Sequence, residues 1–256
     1  MPDPVLRFRP PALSATLAPL ETEPRRAFDR LGELGYRSVQ FSAMQAGLRP
    51  RELDQSARRD LLASLRRREL AVSGLDAWIP PEHLLDPARA DRATAALLDT
   101  IRLAGDLDRC CVSLTLPEAA TDDEARRLEP VIAALVETAE HMGVPLADHA
   151  VPVTRRAGIG LGLDPVAWLA ASEDPAEAVL RHAEHTVAAR LADLNAAGMR
   201  SPATGGPGCR LDLRAYQVAL STLGLTHPVV VDARQWTDPW TGLSRTIQAW
   251  DGVAAI

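Results

Sequence analysis

Short apolar runs alternate with longer amphipathic stretches along the whole chain, the pattern of βα units laid on a parallel sheet. The first run spans 13–17 and is followed by a predicted helix over 24–34, stopped at Gly35, a residue that takes the left-handed C′ conformation cheaply. A second run, RSVQFS (37–42), leads to a helix near 56–68, where Leu61, Leu62 and Leu65 form the apolar stripe and arginines face away. Runs at 70–75 and 110–116 precede helices over 91–107 and 122–142, the latter ending at Gly143. The fifth run is 144–148, extending to 149, and the sixth is 158–164, with helical stretches near 165–171 and 175–184. The seventh run, 186–191, leads through the loop ATGGPG (203–208) to a helix over 213–223. The eighth, 228–232, is followed by a closing helix near 241–250.

Eight strands, each followed by helix, predict an α/β fold, a single (β/α)8 TIM barrel over 1–256 with no linker marking a second domain. The length suits one such domain, and a hydrophobic share of 46% is enough to fill its core. No apolar run reaches the roughly 18 residues of a membrane span, and Met1 to Pro11 does not read as a signal peptide, so a cytoplasmic protein is expected. Three cysteines without framework spacing exclude a disulfide scaffold, and Cys110 and Cys111 read as strand packing.

The chain has no lysine, so all 28 basic residues are arginine. That excludes Schiff-base aldolases, pyridoxal phosphate enzymes and P-loop NTPases, each of which needs a lysine amine. A net charge of −6 gives no general attraction for nucleic acid or an anionic membrane.

In barrels of this kind, chemistry gathers where each strand gives way to its following loop. The polar residues there are Gln40 and Ser42, Asp76, Thr115 and Glu118, the pair Asp148–His149, Asp164, Arg190 with Asp193, and Asp232 with Arg234. Carboxylates collected at one mouth repel each other unless a divalent metal or an arginine lies among them. Asp164 precedes Pro165 and also suits an N-cap with proline at N1. Asp232 closes an unbroken Pro-Val-Val-Val run, where a charge has no packing use. His182 and His185 read as a solvated helix face, and His83, His141 and His227 as loop or helix-end residues.

In their order, several segments resemble the xylose isomerase-like barrel superfamily of sugar phosphate isomerases and epimerases. They are PRRAFDRLGELGYRSVQFSA (24–43), GLGLDP (160–165), GGPGCRLDLRAYQVALSTLG (205–224) and HPVVVD (227–232). The resemblance implies one divalent cation (Mn, Mg or Zn) held by glutamate, aspartate, histidine and glutamate on the last four strands. Carried onto this chain, the set becomes Asp148 or His149, then Asp164, Arg190 and Asp232. Neighbouring strand residues face opposite ways, so only one of Asp148 and His149 faces the centre. Arginine has no lone pair for a metal, so Arg190 among Asp164 and Asp232 is expected to replace the cation, leaving the chain with one metal or none.

The implied function is isomerase or epimerase chemistry on a carbohydrate-like small molecule, by proton transfer next to a carbonyl. Asp148 or His149 and Asp232 are then the acid/base pair. Arg190, Arg210, Gln40 and Asp76 bind substrate, and a phosphate would sit on Arg190, Arg210 and the backbone of 205–208. A catalytically silent barrel binding a small polar ligand or a partner protein is the alternative. An endonuclease of the same superfamily is disfavoured by the acidic charge and the histidine-poor strand ends. Trp236, Trp240 and Trp250 suit a homo-oligomer interface, the pocket mouth or the core.

Overall fold

The structure is a computed structural model that describes residues 10–21 and 23–254. The segment read above as lacking a signal peptide falls, for residues 1–9, outside them. Eight parallel strands close into a barrel: β1 Leu13–Thr16, β2 Ser38–Ser42, β3 Ala71–Asp76, β4 Cys111–Leu114, β5 Leu146–Asp148, β6 Gly160–Leu163, β7 Thr186–Leu191 and β10 Val229–Val231. Closure is made by β1 pairing with β10, Leu13 to Val229 and Ala15 to Val231. Two further strands, β8 Asp193–Leu194 and β9 Arg200–Ser201, form an antiparallel hairpin on the loop after β7. Nothing in the apolar pattern announced that hairpin.

Helices α1 Ala27–Glu33, α2 Gln55–Arg66, α3 Ala90–Asp106, α4 Asp122–Met142, α5 Pro165–Ala170, α6 Pro175–Arg181, α7 Leu213–Ser221 and α8 Pro239–Ala254 fall within the connections or after the last strand. Their starts are fixed locally. Asp54, Thr121, Asp174 and Asp212 each accept from a backbone N–H of the first turn. Gly143 closes α4 in the left-handed conformation, φ 65°. None of the described helices is long and apolar enough to cross a membrane.

Strand alternation sorts the side chains into two layers. Val39, Phe41, Val112, Leu146, Leu161, Leu163, Val229 and Val231 join one large apolar cluster with the helices. The opposite set is small or polar. Ser14 bonds Ser73 (Oγ to Oγ 2.6 Å), Thr16 Oγ1 donates to the Val231 carbonyl, and Cys111, Ala147 and Ala188 form a separate small cluster. Burial pushes the Cys111 thiol up to about 12, against the opposing pull of Arg190, which fits its packing role.

Of the three tryptophans whose place was open, Trp236 and Trp250 are buried and Trp240 packs under Arg30, 4.2 Å from its ring centre. His182 is half-buried against Trp168, and His185 is exposed.

Candidate functional site

Continuing the inner layer toward the C-terminal end of the barrel, the sequence changes from small residues to Gln40, Asp76, His149, Asp164, Arg190 and Asp232. Above them opens a cavity of about 790 Å³. Its floor holds three guanidiniums with Asp76 and Asp164, and Asp232 lies beneath them. Arg190, from β7, donates through Nη2 to Asp76 (3.1 Å) and Nη1 to Asp164 (3.4 Å), and Nη1 lies 3.9 Å from Asp232. Arg200, from β9, reaches both oxygens of Asp164 (3.0 and 2.5 Å) and lies 3.1 Å from Asp232. Arg234 donates through Nε and Nη2 to Asp232 (2.8 and 2.5 Å) and through Nη1 to Asp76 (3.0 Å).

Formal charges therefore cancel in a buried cluster, which is the condition for keeping ions out of water. Burial alone would raise the Asp164 carboxyl. The Arg200 ion pair and hydrogen bond, joined by Arg190, outweigh it and hold the group well below the usual carboxylate range. Burial likewise opposes ionisation of Asp232, yet the Arg234 hydrogen bond and the charges of Arg200, Arg234 and Arg190 hold it at about 2. His149 behaves oppositely. Burial, then the charge of Arg190, lowers its pKa well below the ordinary histidine value, so the ring is neutral.

The ring is tightly fitted. His149 Nε2 hydrogen-bonds Ser113 Oγ at 3.1 Å, and Gln40 Nε2 donates to the same oxygen at 3.3 Å. On the β6 side the imidazole lies on the backbone of Gly162, where any Cβ would overlap the ring. Three buried polar atoms of this floor have no protein partner: Gln40 Oε1, His149 Nδ1 and Arg190 Nε. Such atoms are costly to leave unpaired, and all three are closed off from solvent in this structure.

The choice between Asp148 and His149 falls to His149, because Ala147 shares its inward face. Asp148 points the other way. It accepts from the backbone N–H of Leu116 and Ala150 (both 3.0 Å) and from Arg156 Nη1 (2.8 Å), outside the main cavity. Asp232 is fully buried beneath the guanidiniums and does not line the cavity. Both carboxylates expected as acid/base groups are thus corrected to structural partners of arginine. Arg210 is corrected too. Its backbone N–H donates to Asp193 and its side chain to the Leu169 carbonyl, and neither it nor 205–208 lines the cavity. Asp193 anchors that loop by also accepting from Leu211 N–H. Gln40, Asp76, Asp164 and Arg190 lie at the cavity as expected. Asp164 combines both readings, since it also caps α5 through Val166 N–H.

Three residues were underread. Arg200 was missed because its hairpin is only two residues per strand; Asn195 and Gly198, flanking the turn, were the available signal. Arg234 was seen at its strand end without a role, although its spacing two residues from Asp232 puts both on one side. Glu118 was also only noted. Of the three carboxylates lining the cavity, Asp76 and Asp164 have arginine partners and Glu118 has no ion-pair partner among the described residues.

The residues present do not fit the divalent cation that the resemblance implies. Both oxygens of Asp164 and of Asp232 accept from guanidinium, the histidine position holds Arg190, and three adjacent positive groups repel a cation. Among the described residues no group of three or more His, Cys, Asp or Glu is arranged to hold a metal.

No family model matches the chain, and no curated protein matches it in sequence. Solved structures do. A xylose isomerase domain protein from Planctomyces limnophilus superposes with a TM-score of 0.73 over 95% of this chain and 96% of its own, at 15% identity. A D-psicose 3-epimerase from Clostridium cellulolyticum H10, solved with D-tagatose, gives 0.73 over 96% and 99%, at 14% identity. A xylose isomerase-like TIM barrel protein from Mycobacterium smegmatis, solved in complex with magnesium, gives 0.68 over 96% and 97%, at 14% identity. This chain therefore has the xylose isomerase-like TIM barrel fold. At such identities the likeness is one of fold, and the chemistry must be argued from the residues above.

Proposed function

We propose that this chain is a metal-free relative of the sugar isomerases and epimerases, moving a proton next to the carbonyl of a small α-hydroxy carbonyl compound. The carrying observation is that a neutral imidazole, His149, shares one cavity floor with the guanidiniums of Arg190, Arg200 and Arg234. Removing a proton beside a carbonyl builds negative charge on its oxygen, and fixed N–H donors stabilise that charge as a cation would. In this reading the carbonyl oxygen sits on the guanidiniums, and Gln40 orients a neighbouring hydroxyl. His149, with its proton on Nε2 toward Ser113, acts as base through Nδ1, an atom now buried that the floor must uncover as the substrate enters. Glu118, the unpaired carboxylate at the rim, is the second proton-transfer group. The protein acts in the cytoplasm without nucleic acid, membrane or metal.

The test is exchange of solvent deuterium into ketoses, followed by NMR with and without EDTA. The expected result is EDTA-insensitive exchange that falls roughly 100-fold or more in His149→Gln and in Glu118→Gln. Exchange abolished by EDTA would return the metal to the mechanism. One observation favours a second reading, a barrel that binds without reacting: Asp148 and Asp232, the carboxylates expected to do acid/base work, are both sequestered by arginine. Ketose-induced thermal stabilisation with no exchange on any ketose identifies that case.

A further inference from the structure

The cavity is divided into two chemistries. At its floor every oxygen of Asp76 and Asp164 accepts from a guanidinium, so what the floor offers a guest is mainly N–H donors. Higher up, Ile79, Leu116, Pro117 and Pro152 form apolar wall. Beside them stands Trp78, which lines the cavity with two-thirds of its surface (66%) in solvent. A large aromatic group left that open beside a cavity presents a face on which a second ring can stack.

Its position is fixed by construction. Ile79 N–H donates back to the Ala77 carbonyl at 2.6 Å, Ala77 is buried, and two prolines, Pro80 and Pro81, stiffen the next step. On its inner side the Trp78 ring centre lies 5.8 Å from Cζ of Arg234, so platform and donor floor are adjacent. A pyranose can turn a C–H face to an aromatic ring but carries hydroxyls around its edge, and those against Ile79, Leu116, Pro117 and Pro152 would lose water with no partner in exchange.

We propose that the ligand is amphipathic: an α-hydroxy ketone whose oxygens sit on the arginine floor and whose remaining body is an apolar ring stacked on Trp78. The head group rests on the carbonyl reading above; the apolar body does not. Trp78 is then the residue that sets specificity, and free sugars use the same arginine floor but bind more weakly.

The experiment is calorimetric titration with three probes that share the head: 2-hydroxy-1-phenylethanone, 1,3-dihydroxyacetone and D-fructose. The aryl ketone is expected to bind about tenfold more tightly than either polar probe, the effect of covering one ring's apolar area. Trp78→Ala, an exposed position that the fold tolerates, should remove most of that preference, and Trp78→Phe should keep it. Equal or tighter binding of the polar probes overturns the proposal, as does a preference unchanged in Trp78→Ala or no binding of any probe. Failure of the catalytic reading shows differently. An aryl preference without deuterium exchange leaves this ligand class standing, and exchange into fructose without aryl preference overturns this inference alone.

Discussion

Arg200 and Asp164 are 36 residues apart and meet through both guanidinium nitrogens, Nη1 to Oδ1 at 3.0 Å and Nη2 to Oδ2 at 2.5 Å. The hairpin that carries Arg200 is thereby tied across the barrel mouth, and Gln235 Oε1 fastens it again by accepting from Arg200 N–H at 3.3 Å. Removing the side chain leaves Asp164 buried with the Val166 N–H at 3.1 Å and a single, longer charge partner, Arg190 at 3.4 Å. Arg200→Met should therefore destabilise by about 3–5 kcal/mol, the usual cost of an uncompensated buried charge, measured by urea unfolding. Asp164→Asn added to it should recover part of that loss, and a double-mutant cycle would show the coupling.

The same tie decides what one substitution at the metal position can do. Arg190→His places an imidazole there, but Arg200 still bridges Asp164 and Asp232. On its own it should give no measurable Mn²⁺ affinity. Arg190→His combined with Arg200→Ala should gain roughly tenfold or more in affinity by freeing carboxylate oxygens. Titration calorimetry compares the two, and equal affinities would show that Arg200 does not block the carboxylates.

His149 makes stability depend on pH. Its folded pKa is depressed, so below the unfolded value near 6.5 the unfolded chain binds a proton that the native ring refuses. The contribution is whole above that value and is lost as pH falls toward the folded pKa, at up to about 1.4 kcal/mol per pH unit. His182 and His227, also depressed mainly by burial, add in the same direction. The difference between wild type and His149→Gln isolates one ring: unfolding free energies measured from pH 7 to 5 should fall less steeply in the variant.

Gly162→Ala tests the seat of that ring. A Cβ there would overlap Cε1 and Nε2 of His149, and the imidazole would have to leave Ser113. A loss of about 1–3 kcal/mol is expected, together with weaker ligand binding. Unchanged melting and binding would show that the backbone yields instead.

Asp148→Asn separates structural from catalytic carboxylates. The group bonds Leu116 N–H, Ala150 N–H and Arg156 on the far side of its strand. The variant should lose about 1–3 kcal/mol of stability, by leaving Arg156 short of its charge partner, with ligand affinity unchanged. A large loss of deuterium exchange at full stability would restore Asp148 to the reaction.

Strand and helix order was legible because each element advertises itself within a dozen residues: the apolar 37–42 run, the Leu61–Leu65 stripe, the glycine stops at Gly35 and Gly143. The inner residues Gln40, Asp76, Asp164 and Arg190 were legible for a related reason, since strand ends of a barrel must converge on one rim. Position 190 was likewise legible as a group that cannot itself ligate a metal, since a guanidinium has no lone pair.

What the chain alone determined, then, is periodicity and chemical type: eight βα units, an acidic rim, arginine as its only strong positive charge. The facing of Asp148 and His149, the burial of Asp232, and the arrival of Arg200 and Arg156 were decided in three dimensions. Each depends on which groups, such as Asp148 with Arg156 or Asp164 with Arg200, come within hydrogen-bond reach once the barrel closes. A one-residue step along a strand reverses a side chain, and pairing across loops follows geometry that local pattern does not encode.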